Sequence, residues 1–82
     1  MVTVAYDPSF RKKFEKLRDP LLREKVKKQI QKIVESPEIG KPMRYSRKGS
    51  REVYVPPLRL SYKYLRDADT LIFLDLYHKD EQ

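Results

Sequence analysis

The spacing of apolar residues changes period twice along this chain. Residues 2–6, VTVAY, alternate apolar with small or polar positions, the two-residue period of a short strand. Asp7-Pro8 ends that pattern and predicts a helix. An aspartate side chain caps free backbone N–H groups, and the fixed φ of proline suits the first helical position. Phe10, Phe14 and Leu17 then step by four and three as one stripe, with Arg11, Lys12, Glu15, Lys16 and Arg18 on the other face. Asp19-Pro20 repeats the start signal, so the spacing predicts two helices joined by a tight turn. The second helix carries Leu22, Val26, Ile30, Ile33 and Val34 on its apolar side and Lys25, Lys27, Lys28, Gln31 and Lys32 toward water. Ser36-Pro37 ends it, because a residue before proline is pushed out of the α region.

Residues 37–50, PEIGKPMRYSRKGS, hold both glycines of the chain and read as a long irregular loop. Beyond it the period is two again. REVYV (51–55) sets Val53 and Val55 on one side, and Pro56-Pro57 interrupts the ladder with a bend or hairpin. LRLSYKYL (58–65) sets Leu58, Leu60, Tyr62 and Tyr64 against Arg59, Ser61 and Lys63. After a turn at RDAD (66–69), TLIFLDLY (70–77) is almost continuously apolar, as a central strand would be, with Ile72, Leu74 and Leu76 sharing a face.

These elements predict an α+β fold in a single domain, residues 1–82. A short N-terminal strand and an αα-hairpin precede a three-strand antiparallel meander (β-α-α-β-β-β), with both helices on one face of the sheet. The expected core joins the helix stripes to Val53, Val55, Leu58, Leu60, Ile72, Leu74 and Leu76. Strict alternation leaves Glu52, Tyr54, Arg59, Ser61, Asp75, Tyr77 and Lys79 on the opposite, uncovered face. The same alternation puts Leu71 and Phe73 there too, as expected docking points for a partner.

Charge sharpens the picture. The net charge is +7, and it is concentrated: residues 41–66 hold eight Lys or Arg against one acid, Glu52. A block of this sign attracts polyanions, chiefly nucleic acid, through counterion release. With no cysteine and one histidine, neither disulfides nor a zinc site is expected. No run of 18 apolar residues and no secretory signal pattern is present, so a cytoplasmic protein without membrane contact is expected.

The ordered set of GKPMR, REVYV, LRLSYKY and LIFLDLYHKDEQ, within two helices and a meander, resembles the RelE/ParE superfamily of toxins. The most specific pieces are Arg59-Leu60-Ser61-Tyr62 and the apolar strand that runs into Tyr77-His78-Lys79. The resemblance implies the toxin of a type II toxin–antitoxin system. A RelE-like member is a ribosome-dependent endoribonuclease, an mRNA interferase that cuts messenger RNA in the A site by attack of a 2′-hydroxyl, without metal or organic cofactor. Its partners would be a RelB-like cognate antitoxin, the ribosome and mRNA, with a toxin–antitoxin heterotetramer as one form of the complex. Two alternatives stay open: a ParE-like gyrase inhibitor without nuclease chemistry, and a non-catalytic basic RNA-binding module.

By the same resemblance, Arg59 and Lys79 would stabilise the phosphate and the transition state. Arg51 and Tyr54 are further catalytic candidates, and His78 is the one side chain with an intrinsic pKa suited to proton transfer near neutrality. Arg44, Arg47 and Lys48 would hold RNA backbone. Each has a plainer reading: Arg59 as a salt bridge to Glu52 or Asp75, Lys79 as a terminal lysine, Tyr54 as a packing residue, His78 as a structural one. Glu52 and Tyr54 stand where the family carries strand lysines, and the family's C-terminal tyrosine has no counterpart here.

Overall fold

The structure, a computed structural model, describes residues 2–42 and 49–78. The elements run β1 (Thr3–Tyr6), α1 (Pro8–Lys16), α2 (Pro20–Glu35), β2 (Lys41–Pro42), β3 (Ser50–Val55), β4 (Leu58–Leu65) and β5 (Thr70–His78). Both helix starts use the expected chemistry. The Asp7 carboxylate accepts a hydrogen bond from the Ser9 N–H at 2.9 Å, and Asp19 accepts from Leu21 at 2.9 Å, each with proline as the next residue. Arg23 fastens the hairpin between the helices. Its Nη1 donates to the Leu17 carbonyl at 3.0 Å, and its guanidinium lies 4.8 Å from the centre of the Phe14 ring.

The strands form one sheet in the order β1-β5-β4-β3-β2. β3, β4 and β5 are the expected antiparallel meander, with Pro56-Pro57 as the two-residue connection between β3 and β4. Two details extend it. β1 pairs in parallel with β5, Val4 opposite Leu71 and Tyr6 opposite Phe73. Lys41–Pro42, inside the segment expected to be irregular, forms a short edge strand against Glu52 and Arg51. The helices cover one face, as the sequence pattern requires. Their buried residues, Phe10, Val26 and Ile33, meet Val55, Leu58, Leu60, Tyr62, Leu71, Phe73 and Leu76 in one core. Each such side chain, fully removed from water, contributes about 1.5–3 kcal/mol. Phe73 sits at the centre, with ring centroids 5.8 Å from Phe10, 5.5 Å from Tyr6 and 6.0 Å from Tyr62. Among the described residues, no helix is long and apolar enough to cross a membrane.

The face assignment along β5 needs correction. Leu71 and Phe73, expected on the uncovered side as docking points, are both fully buried beneath the helices. Ile72 and Leu74, expected in the core, are only half-buried. The cause is a bulge. Ser61 pairs with Asp75, but the next residue, Tyr62, pairs with Phe73, so Leu74 is an extra residue on β5. One added residue reverses the alternation. Leu71 and Phe73 before the bulge, and Leu76 after it, therefore share the helix side, while Asp75 and Tyr77 still point the other way.

Candidate active site

The face turned away from the helices is built by register. Tyr54 on β3 lies opposite Arg59 on β4, and Arg59 lies opposite Tyr77 on β5. Glu52 is two residues from Tyr54 and therefore on the same face. Four side chains converge there. Arg59 Nη1 donates to Glu52 Oε1 at 2.7 Å, and the Tyr77 hydroxyl donates to Glu52 Oε2 at 2.8 Å. The Arg59 guanidinium lies 5.5 Å from the centre of the Tyr54 ring. Glu52 is the more enclosed partner of the ion pair, with 18% of its side chain exposed against 31% for Arg59. At that depth a charge-assisted hydrogen bond contributes on the order of 1.5–3 kcal/mol, more than an exposed surface pair. Arg59 Nε is buried without a hydrogen-bond partner among the described residues. A cavity of about 340 Å³ opens beside the cluster, lined by Ile39, Lys41, Glu52, Val53, Tyr54 and Arg59.

The salt-bridge partner of Arg59 is therefore Glu52. Asp75, the other candidate, pairs with Lys13 of α1 at 3.1 Å and accepts the Leu76 N–H at 2.8 Å. Of the residues singled out in the sequence, Arg59 and Tyr54 come together. His78 is the last residue of β5, exposed and opposite the core residue Leu58 in the register, so on the helix side of the sheet rather than the cluster's face. Arg51 lies elsewhere. It is opposite Tyr62, on the helix side of the sheet, and its Nη1 donates to the carbonyls of Glu38 at 3.0 Å and Gly40 at 2.9 Å. Lys79, Arg44, Arg47 and Lys48 fall outside the described residues. Glu52 and Tyr77 are the two members the sequence reading left out of the site. Alternation alone had placed both on this face, and their convergence on Arg59 follows from the pairing of β3, β4 and β5.

On the helix side, Arg51 belongs to a clamp. The Tyr62 hydroxyl accepts the Gly40 N–H at 2.9 Å and donates to the Pro37 carbonyl at 2.7 Å. Burial raises the pKa of the Tyr62 phenol above its ordinary value of 10.0, against smaller opposing effects of the Gly40 N–H and the Arg51 charge. Gly40 fits because it has no side chain: a Cβ there would lie 2.7 Å from the Tyr62 oxygen. The clamp fixes the start of the segment that leads into β2. Nearby, Tyr64 donates to Asp69 Oδ1 at 3.0 Å, which also raises the pKa of that phenol, and Arg66 pairs with Glu38.

Comparison with known proteins identifies the family and finds the same fold elsewhere. The family model described as ParE toxin of type II toxin–antitoxin system, parDE, matches residues 4–82. This chain belongs to the ParE toxin family. Its fold is shared with structurally characterised toxins. The intact RelBE toxin–antitoxin complex of Escherichia coli superposes with a TM-score of 0.80 at 19% identity, over 95% of this chain and 96% of the other. The RelBE2 complex of Mycobacterium tuberculosis gives 0.80 at 24% identity, over 95% and 98%. The YoeB/ParE toxin of Agrobacterium tumefaciens gives 0.83 at 15% identity, over 94% and 98%. Identities this low show a common ParE-family fold and leave the reaction to the residues. No curated protein matches the chain.

Proposed function

We propose that this member of the ParE toxin family is a metal-independent endoribonuclease that cuts messenger RNA in the ribosomal A site, and that a cognate antitoxin holds it inactive. The observation that carries the reading is the guanidinium of Arg59, fixed on a central strand between an exposed tyrosine and a carboxylate, on a sheet face the helices leave open. Cutting RNA without metal requires three things. A 2′-hydroxyl must lose its proton, the pentacoordinate phosphorane must be stabilised as it gains negative charge, and the leaving 5′ oxygen must be protonated. Arg59 supplies the second, since its rigid fork of donors matches a phosphate and costs little reorganisation during reaction. Tyr54, about half exposed beside it, offers a ring on which a base can stack. The antitoxin is supported by two of the structural relatives, which were solved as RelBE toxin–antitoxin complexes.

One observation favours a second reading. The Glu52 carboxylate already offsets part of the Arg59 charge, as a toxin that blocks a topoisomerase by binding, without nuclease chemistry, would tolerate. Inducing the gene and mapping 5′ ends on translated messages separates the two. Cuts at fixed codon positions on ribosome-bound mRNA are expected. Intact message together with a gyrase-dependent DNA damage response would replace the nuclease reading with the second.

A further inference from the structure

We propose that Ile39, Lys41 and Tyr54 form a slot beside Arg59 that selects guanine next to the cut, an inference that rests on the nuclease reading above. The cavity of about 340 Å³ at the cluster is lined by Ile39, Lys41, Glu52, Val53, Tyr54 and Arg59. Pockets for small ligands begin at about 300 Å³, so this one suits a single base. Its walls point the same way. Ile39 and Tyr54 are large side chains left about half exposed, and Val53 joins them. A phosphate gains nothing from such walls, whereas the flat faces of a base do. The Arg59 guanidinium, 5.5 Å from the centre of the Tyr54 ring, orients that ring before a base arrives.

Lys41 supplies the contact to the base edge. It lies opposite Glu52 in the register, and so on the open face. The Glu52 carboxylate is engaged by Arg59 and Tyr77, and among the described residues no carboxylate pairs with Lys41. An ammonium donates hydrogen bonds and cannot accept them. Guanine offers it two adjacent acceptors, O6 and N7, whereas adenine sets an amino donor beside N7 and cytosine presents an amino donor. The slot is also built in advance. Gly40 sits between Ile39 and Lys41, with its N–H held by the Tyr62 hydroxyl at 2.9 Å and its carbonyl by Arg51 at 2.9 Å. The clamp on the helix side thus fixes the backbone that carries both slot residues, which lowers the ordering cost of binding.

The test uses the purified full-length chain on ribosomes programmed with messages that vary at the two nucleotides flanking the cut, under single-turnover conditions. At one of these positions, guanine is expected to be cut about tenfold faster than adenine, or more. Inosine, which keeps O6 and N7, should be cut like guanine. 2-Aminopurine, which lacks O6, should be cut like adenine. Lys41→Met should slow cutting at guanine by about tenfold and at adenine by less, while Lys41→Arg keeps the preference. Ile39→Ala should raise the protein concentration needed for half-maximal rate with every base. Wild-type cutting that ignores both flanking bases would overturn the slot and leave the nuclease reading intact. An unchanged guanine preference in Lys41→Met would place the selection in the ribosome, and an equal loss on every message would make Lys41 a phosphate contact; either overturns the proposal. Should Lys41→Met not fold, inosine cut like adenine by the wild-type protein decides against it. Wild-type protein that leaves every translated message intact would overturn the nuclease reading, and the slot with it.

Discussion

The hydroxyl of Tyr62 and the backbone nitrogen of Gly40, 22 residues apart in sequence, are joined by a buried 2.9 Å hydrogen bond. Through it the β4 strand holds the end of the α2–β2 connection, and Arg51 secures the same turn from β3. Gly40→Ala would bring a methyl group within 2.8 Å of the Tyr62 ring and 3.1 Å of Arg51 Cβ. Overpacking of this kind should destabilise the fold by about 1–3 kcal/mol, measured by urea unfolding. Tyr62→Phe removes both hydrogen bonds of the hydroxyl and strands a buried N–H. A similar loss, on the order of 1–3 kcal/mol, is expected.

The same phenol sets an alkaline limit. The folded protein holds the Tyr62 proton more tightly than the unfolded chain does, because burial disfavours the phenolate. Unfolding therefore releases protons once the pH exceeds the ordinary tyrosine value of 10.0, and stability falls from there as pH rises. Below that value the contribution is complete. Denaturant midpoints taken from pH 8 to pH 11 should stay flat and then drop, by roughly the linkage slope of one group. In Tyr62→Phe the drop should be shallower, with a remainder from Tyr64, whose bond to Asp69 also favours its protonated form.

Arg59→Ala should abolish growth arrest while the protein still folds. Loss of one well-placed donor to the transition state lowers rates by about 10²–10³-fold. The variant leaves Glu52 its hydrogen bond from Tyr77, so a modest stability loss, about 1–3 kcal/mol, should accompany it. Full toxicity in a folded Arg59→Ala protein would remove this residue from the site.

The bulge makes a prediction that sets neighbours apart. Phe73→Ala should cost about 3–5 kcal/mol as a large buried ring is lost. Ile72→Ala, one residue earlier and half-buried, should cost far less. Unfolding of the two variants under matched conditions tests the assignment of faces. Equal losses would contradict it.

Much of this architecture could be read from spacing. The two Asp-Pro starts, the stripes of both helices and the Ser36-Pro37 stop rest on local chemistry, and the structure reproduces each of them. The pairing of β1 with β5 joins Thr3 to Thr70, close to opposite ends of the chain, and no local pattern encodes it. The face of Leu71 and Phe73 could not be read for a different reason. An apolar run such as LIFLDL is compatible with either alternation, and only a partner strand reveals where one residue is inserted. The site divides in the same way. Alternation brought Arg59 and Tyr54 to one face, but the hydrogen bonds that Glu52 accepts depend on three strands meeting at one carboxylate. Arg51, two residues before Val53 on β3, shares the parity of Val53 and Val55 and so faces the helices.

Leu74 falls where β1 stops. Tyr6 is the last β1 residue paired with β5, the Asp7 N–H closes onto Phe73, and α1 flanks the strand from there, with Lys13 reaching Asp75. The inserted residue thus separates β5 into two stretches under different demands. Up to Phe73 the strand is hemmed in on both edges, and its buried residues, Leu71 and Phe73, tolerate little change in volume. From Asp75 onward its outward residues answer to charge and hydrogen bonding at the cluster. Substitutions that retune the chemistry can accumulate in the second stretch without disturbing the packing that the first stretch maintains.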